Sequence, residues 1–101
     1  MAWNDIRIYT PSDFQAELWT EEEIKIFQQF HFKCVRCPQK SITLHEIHPK
    51  SLRPKTWMQP ENRIPVCKKC HDWSHRAGTR FSAPILEVLR KERLKEYATQ
   101  H

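Results

Sequence analysis

Apolar residues recur at helical spacing near both ends of the chain and follow strand-like runs in the middle. Ile24, Phe27 and Phe30 fall three apart, which places them on one face of a helix. Thr20 precedes them and is followed by Glu21, Glu22 and Glu23. A threonine with a glutamate three residues on is a capping box, and the acids lie where a helix N-terminus is positive. The pattern predicts a helix from Thr20 to about Phe30 with its aromatics in the core. Near the other end, Ile85, Leu86, Leu89 and Leu94 mark the apolar face of a last helix reaching about Tyr97. Ser82 is its expected N-cap, with Pro84 in the first turn. Arg90, Lys91, Arg93 and Lys95 surround that face and read as a solvated surface.

Between these helices the period changes. Ser41 to Ile47 is rich in β-formers and predicts a strand. Arg63 to Val66 predicts a short second strand, which Pro65 confines to an edge. Pro49, Pro54 and Pro60 interrupt the stretch between them, so it is not one regular element. Cys34-Val-Arg-Cys37-Pro38 reads as a tight metal-binding turn. Cys67 to Arg76 reads as a second such turn running into a helix that stops near Gly78. The expectation is a small single α+β domain over residues 1–101, with its core motif at about 32–78 and a C-terminal helix at 79–101.

Composition narrows the field. At 101 residues one domain is expected, and its modest core calls for a staple such as a metal. One Gly, seven Pro and 29% charged residues exclude a low-complexity or disordered chain. The net charge of +5 and a pI near 9.2 suit a polyanionic partner, although many basic proteins bind none. No run of 18 apolar residues is present, so no membrane span is expected. Met1 to Thr10 has no apolar segment of signal-peptide length. A cytoplasmic location is therefore expected. In that reducing compartment four cysteines favour metal ligation over disulfides.

Two Cys-x-x-Cys pairs bracket 29 residues. Each pair offers two thiolates, and Cys34, Cys37, Cys67 and Cys70 together suit one tetrahedral, structural Zn²⁺. Cys67-Lys-Lys-Cys70-His71 also matches a haem-attachment motif, but that would leave Cys34 and Cys37 without a purpose. A thioredoxin-like redox pair lacks its βαβ context. His71 and His75 are four apart on a predicted helix, so their rings share a face. With His45 at the end of the predicted strand, three imidazoles can meet at a single second ion, leaving positions for water and phosphate.

Leu44-His45-Glu46-Ile47-His48-Pro49, then Glu61-Asn62-Arg63-Ile64, then Cys67-Lys-Lys-Cys70-His71-Asp-Trp-Ser-His75 resembles the HNH nuclease motif. The order, the cysteine pairs and the Asn-x8-His-x3-His spacing agree over Phe32 to Arg76. The arrangement is similar to small phage and bacterial members with four zinc cysteines, and its ligand spacing to the nuclease domains of DNase colicins. The resemblance implies a ββα-metal core, a β-hairpin plus a helix clasping one divalent ion, stapled by the zinc and flanked by N- and C-terminal helices. It implies His45, His71 and His75 as ligands of a catalytic cation and Asn62 as the residue orienting the base. Where the family places its general-base histidine this chain has Glu46. His48, two residues on and on the same strand face, is the alternative.

The expected activity is that of a metal-dependent DNA endonuclease or nickase hydrolysing phosphodiester bonds. Arg53, Arg63 and Arg76 are expected phosphate contacts. Imidazole ligands favour Mn²⁺, Ni²⁺, Zn²⁺ or Co²⁺ over Mg²⁺. Trp57 and Trp73 read as packing residues, with base stacking the alternative. Two other functions fit the same composition. One is a non-catalytic zinc-stabilised nucleic-acid-binding module. The other is a subunit of a phage DNA-packaging or other DNA-processing machine, whose mark would be an apolar patch on the terminal helix.

Overall fold

A computed structural model describes residues 10–98. Residues 1–9, which carry most of the signal-segment expectation, and residues 99–101, the end of the expected last helix, lie outside that range. The described chain is a small α+β fold. In order, its elements are a 3₁₀ turn at Ala16–Leu18, helix α1 (Glu21–Gln29), strand β1 (Leu44–Glu46), a 3₁₀ turn at Pro60–Asn62, strand β2 (Arg63–Pro65), and helices α2 (Lys68–Ala77) and α3 (Thr79–Ala98).

Helix α1 begins as its sequence dictates. Thr20 Oγ1 accepts from the Glu23 N–H, and Glu23 Oε1 accepts from the Thr20 N–H. The chain leaves α1 through His31 and Phe32, both at φ 55°. The Phe32 N–H donates to the Phe27 carbonyl. That left-handed exit turns the chain into the first cysteine loop, whose ends are joined by a bridge between Lys33 and Lys40.

β1 and β2 pair antiparallel, with Leu44 opposite Pro65, His45 opposite Ile64 and Glu46 opposite Arg63. The first strand is shorter than the expected Ser41–Ile47. The hydroxyls of Ser41 and Thr43 both donate to the Val66 carbonyl. Side chains thus occupy an acceptor that a ladder N–H would otherwise use. The second strand stops at Pro65, which has no N–H to give. Its carbonyl instead accepts from Val35 in the first cysteine loop.

α2 is capped by Cys67 and ends at Gly78, at φ 82°. α3 follows at once, and here the expectation needs correction. The helix starts at Thr79, not after a Ser82 cap, because the Gly78 carbonyl accepts from the Phe81 and Ser82 N–H groups. Ser82 is buried inside the helix. Pro84 falls within the helix, where its missing N–H removes one bond to the exposed first turn.

The core gathers Ile26, Phe30, Val35, Ile47, Ile64, Val66, Leu86 and Tyr97 around Cys34 and Cys70. Phe27 and Phe32 stack beside it, with Phe14 and Trp19 edge-on. α3 presents Ala83, Leu86 and Leu94 to this core, whereas Ile85 is on the exposed side with Phe81 and Val88. No helix among the described residues is long and apolar enough to cross a membrane.

Candidate metal centres

The four cysteines come together from the loop after α1 and the start of α2. Their sulfurs lie within 4.8 Å of one another. Cys37 Sγ is 3.4 Å from Cys67 Sγ and 3.6 Å from Cys70 Sγ. Thiolates placed tetrahedrally at about 2.3 Å from Zn²⁺ would lie about 3.8 Å apart, so a small outward relaxation suffices. None of the four is in a disulfide. Burial pushes the Cys37 thiol up. It pushes Cys70 up to about 12, against the pull of the Arg36 guanidinium. Burial acts on Cys67 too, but the Cys70 backbone N–H and the neighbouring thiols outweigh it and hold Cys67 down to about 7. Four thiols this close can ionise together only around a cation, and binding one displaces their protons. The donor set fits a structural metal such as zinc.

Sequence reasoning did not single out Arg36. Its backbone N–H donates to Cys34 Sγ and its Nη1 to Cys70 Sγ. The guanidinium carbon lies 3.9 Å from the centroid of the Trp73 ring. A cation stacked between an indole and the sulfurs offsets part of the charge that four thiolates carry in excess of a divalent ion. The only hint in the sequence is the position of Arg36 inside the first Cys-x-x-Cys loop.

A second cluster forms where β1 meets α2. The ligand nitrogens of His45, His71 and His75 also lie within 4.8 Å of one another. His71 and His75 sit one turn apart on α2, and their Nε2 atoms are 3.2 Å apart. Nitrogens at about 2.1 Å from one ion would be about 3.0–3.4 Å apart. The His45 ring stands nearly perpendicular to both others, at interplanar angles of 85° and 86°. Burial, and then the proximity of His71 and His75, hold the His45 pKa down to about 4. Its ring is therefore neutral near pH 7, with a lone pair to give.

These three rings line a cavity of about 280 Å³ together with Glu46 and Arg63. The start of α3, through Thr79 and Ser82, closes one side. Arg63 is anchored from the opposite direction, because its Nη1 donates to Glu23 Oε2 of α1. Its Nε is buried without an acceptor.

His48 does not enter this cavity. β1 ends at Glu46, so the expected continuation of one strand face to His48 fails. The His48 Nε2 instead meets Glu87 Oε1 of α3, 2.5 Å away. Asn62 is buried in the turn before β2. Its Oδ1 accepts from the His48 N–H, and its Nδ2 donates to the His48 and Trp57 carbonyls. Asn62 thus pins the backbone just after β1. Arg53 lines a second cavity with His48, and Arg76 is exposed on α2 away from both. Trp57 has Lys50 Nζ 5.5 Å from its ring centroid. Nothing in the sequence pointed to Glu87 or to the Glu23–Arg63 pair, since both bring together residues from distant segments.

No family model matches the chain, and neither a curated protein nor a solved structure matches it.

Proposed function

We propose that this chain is a metal-dependent endonuclease of the HNH, ββα-metal type, acting on DNA phosphodiester bonds. The observation that carries this reading is the convergence of His45, His71 and His75 on one cavity that also holds a carboxylate, Glu46, and a guanidinium, Arg63. A structural site needs no open face, whereas three imidazoles beside a cavity leave room for a substrate oxygen and a water.

A divalent cation held by the three histidines would supply Lewis acidity toward a phosphoryl oxygen and the leaving oxygen. The chain's own groups do the rest. The Glu46 carboxylate accepts a proton from water as its oxygen bonds to phosphorus. The bond from phosphorus to the 3′ oxygen breaks, and that oxygen takes a proton from solvent. Arg63 donates to a non-bridging oxygen through a guanidinium that Glu23 keeps in place. Asn62 acts at one remove, by fixing the peptide that follows the strand carrying His45 and Glu46.

The rival reading is a zinc-stabilised nucleic-acid-binding module without catalysis. It uses the cysteine cluster and the basic charge but gives no reason for the three imidazoles. Plasmid nicking separates the two. Zinc-loaded protein with added Mn²⁺ or Ni²⁺ should nick supercoiled DNA faster than with Mg²⁺. His75→Ala should reduce the rate by more than the ~10–100-fold typical of losing an outer-shell partner, with the cooperative thermal unfolding that depends on the cysteine-bound zinc unchanged. Binding without cutting under every cation would leave the module as the answer.

A further inference from the structure

Among the described residues, the buried side-chain nitrogen or oxygen atoms without a hydrogen-bond partner are Arg63 Nε and Arg90 Nε. Each belongs to a guanidinium lining a cavity. Arg63 faces the histidine cavity. Arg90 lines a second one, of about 300 Å³, between α3 and the segment that follows β1. A guanidinium with an unpaired buried nitrogen gains most from an anion that its remaining N–H groups can reach.

The second cavity is built for an anion. Arg90 and Lys91 reach it from α3, and Arg53 from the facing turn. That turn is held by Pro49, whose carbonyl accepts from the Arg53 N–H, and by Arg53, whose carbonyl accepts from the Trp57 N–H. Two carboxylates also line the cavity, but Glu87 is engaged by His48 and Glu61 is exposed to solvent. Three cations from two segments thus outnumber the two carboxylates at the cavity. Asn62 stiffens the wall through its bonds to His48 and Trp57. The two cavities lie on either side of the end of β1, since Glu46 lines the first while Ile47 and His48 line the second.

We propose that the second cavity holds a backbone phosphate of the same nucleic-acid strand whose reacting phosphate occupies the histidine cavity. Arg90 and Lys91 from α3 and Arg53 from the facing turn neutralise its charge. The inference rests on the nuclease reading for the identity of the polyanion, and on the three cations that two separate segments bring to one cavity for the site.

The test measures binding of a short DNA duplex to the zinc-loaded chain, by fluorescence anisotropy over a salt series with no other divalent cation. The double variant Arg90→Gln, Lys91→Gln should weaken binding by about tenfold or more and make the salt dependence shallower by about one to two units of slope. Arg53→Gln should weaken it several-fold. Lys95→Gln, which removes the same charge from α3 outside the cavity, should have the smaller effect. Should Arg90→Gln, Lys91→Gln lose zinc or cooperative unfolding, Arg53→Gln on the exposed turn decides. Cavity variants that bind as tightly as the parent, or lose no more than Lys95→Gln, overturn the proposal. So does loss of inorganic phosphate binding with duplex affinity untouched, which would assign the cavity to a free phosphate. Plasmid cutting by the same proteins keeps the two ideas apart. A cutting parent with indifferent cavity variants sinks the second site alone. A parent that never cuts, with variants that lose duplex binding, retains the second site and sinks the nuclease.

Discussion

Glu23 joins the first helix to the strand that borders the histidine cavity. One carboxylate oxygen closes the capping box on Thr20 and the other holds Arg63. Burial pushes the Glu23 pKa up, but the Thr20 N–H and the Arg63 guanidinium outweigh it and leave the pKa below the ordinary 4.5. A depressed folded value means stability that is present above about pH 4.5 and lost as pH falls through the folded pKa. Glu23→Gln should therefore lower stability at pH 7 by about 1–3 kcal/mol, the range for losing bonds to a charged group, and reduce the acid-side slope of a stability-against-pH curve. Denaturant melts of both proteins from pH 7 to pH 3 measure this. Equal stabilities at every pH would contradict it. Half of this residue's role was legible in the sequence, because a capping box is local. The other half was not, because Arg63 lies 40 residues away and only the tertiary packing brings the two together. The same distinction applies to the candidate bases. His71 and His75 could be paired from helical spacing alone. Whether His48 shares the strand face of Glu46 turned on where β1 ends, just before the His48 peptide that the Asn62 amide holds.

At the scale of elements, Gly78 is the joint between α2 and α3. Its backbone, at φ 82° and ψ 154°, lies in a region that side-chain-bearing residues seldom adopt. A Cβ there would meet nothing within 4 Å, so the obstacle to substitution is conformational. Gly78→Ala should cost about 1–3 kcal/mol, read as a lower thermal midpoint with zinc content retained. An unchanged midpoint would show that the joint is free to rearrange. The stop at Gly78 was readable, since glycine is a common helix terminator. The immediate restart was not. Ser82 offered a plausible cap, yet the Gly78 carbonyl takes the first bonds and draws Thr79 to Ser82, four more residues, into the helix. That early start sets Thr79 and Ser82 against the histidine cavity, while Glu87, Arg90 and Lys91 further along the helix line the second one. The apolar face of α3 was read correctly at Leu86 and Leu94 but not at Ile85, which is 45% exposed. Moving the helix start does not move a face; the expected face was simply drawn too wide.

For the whole molecule the cysteine cluster is the place where a metal could act as a staple. Cys34 and Cys70 belong to the core itself, so a metal there joins the loop after α1 to α2 through the centre of the fold. Structural zinc contributes roughly 10–16 kcal/mol in zinc-finger peptides, comparable to the roughly 5–15 kcal/mol of an entire small domain. Chelation at neutral pH should therefore remove the cooperative thermal transition and much of the helical circular dichroism, both returning on addition of Zn²⁺. A chelated chain that melts as before would show that the thiols are merely packed together. This much of the architecture could be read from spacing, because two Cys-x-x-Cys pairs constrain a fold strongly. The nuclease reading depends on a second cation, held by nitrogen rather than sulfur. Anomalous diffraction from crystals grown with Zn²⁺ and soaked in Mn²⁺, recorded at both metal edges, tests it most directly. Two peaks per chain are expected, one among the four sulfurs and one within bonding distance of His45, His71 and His75. A single peak at the sulfurs, with the imidazoles bonded to protein or water instead, would contradict it.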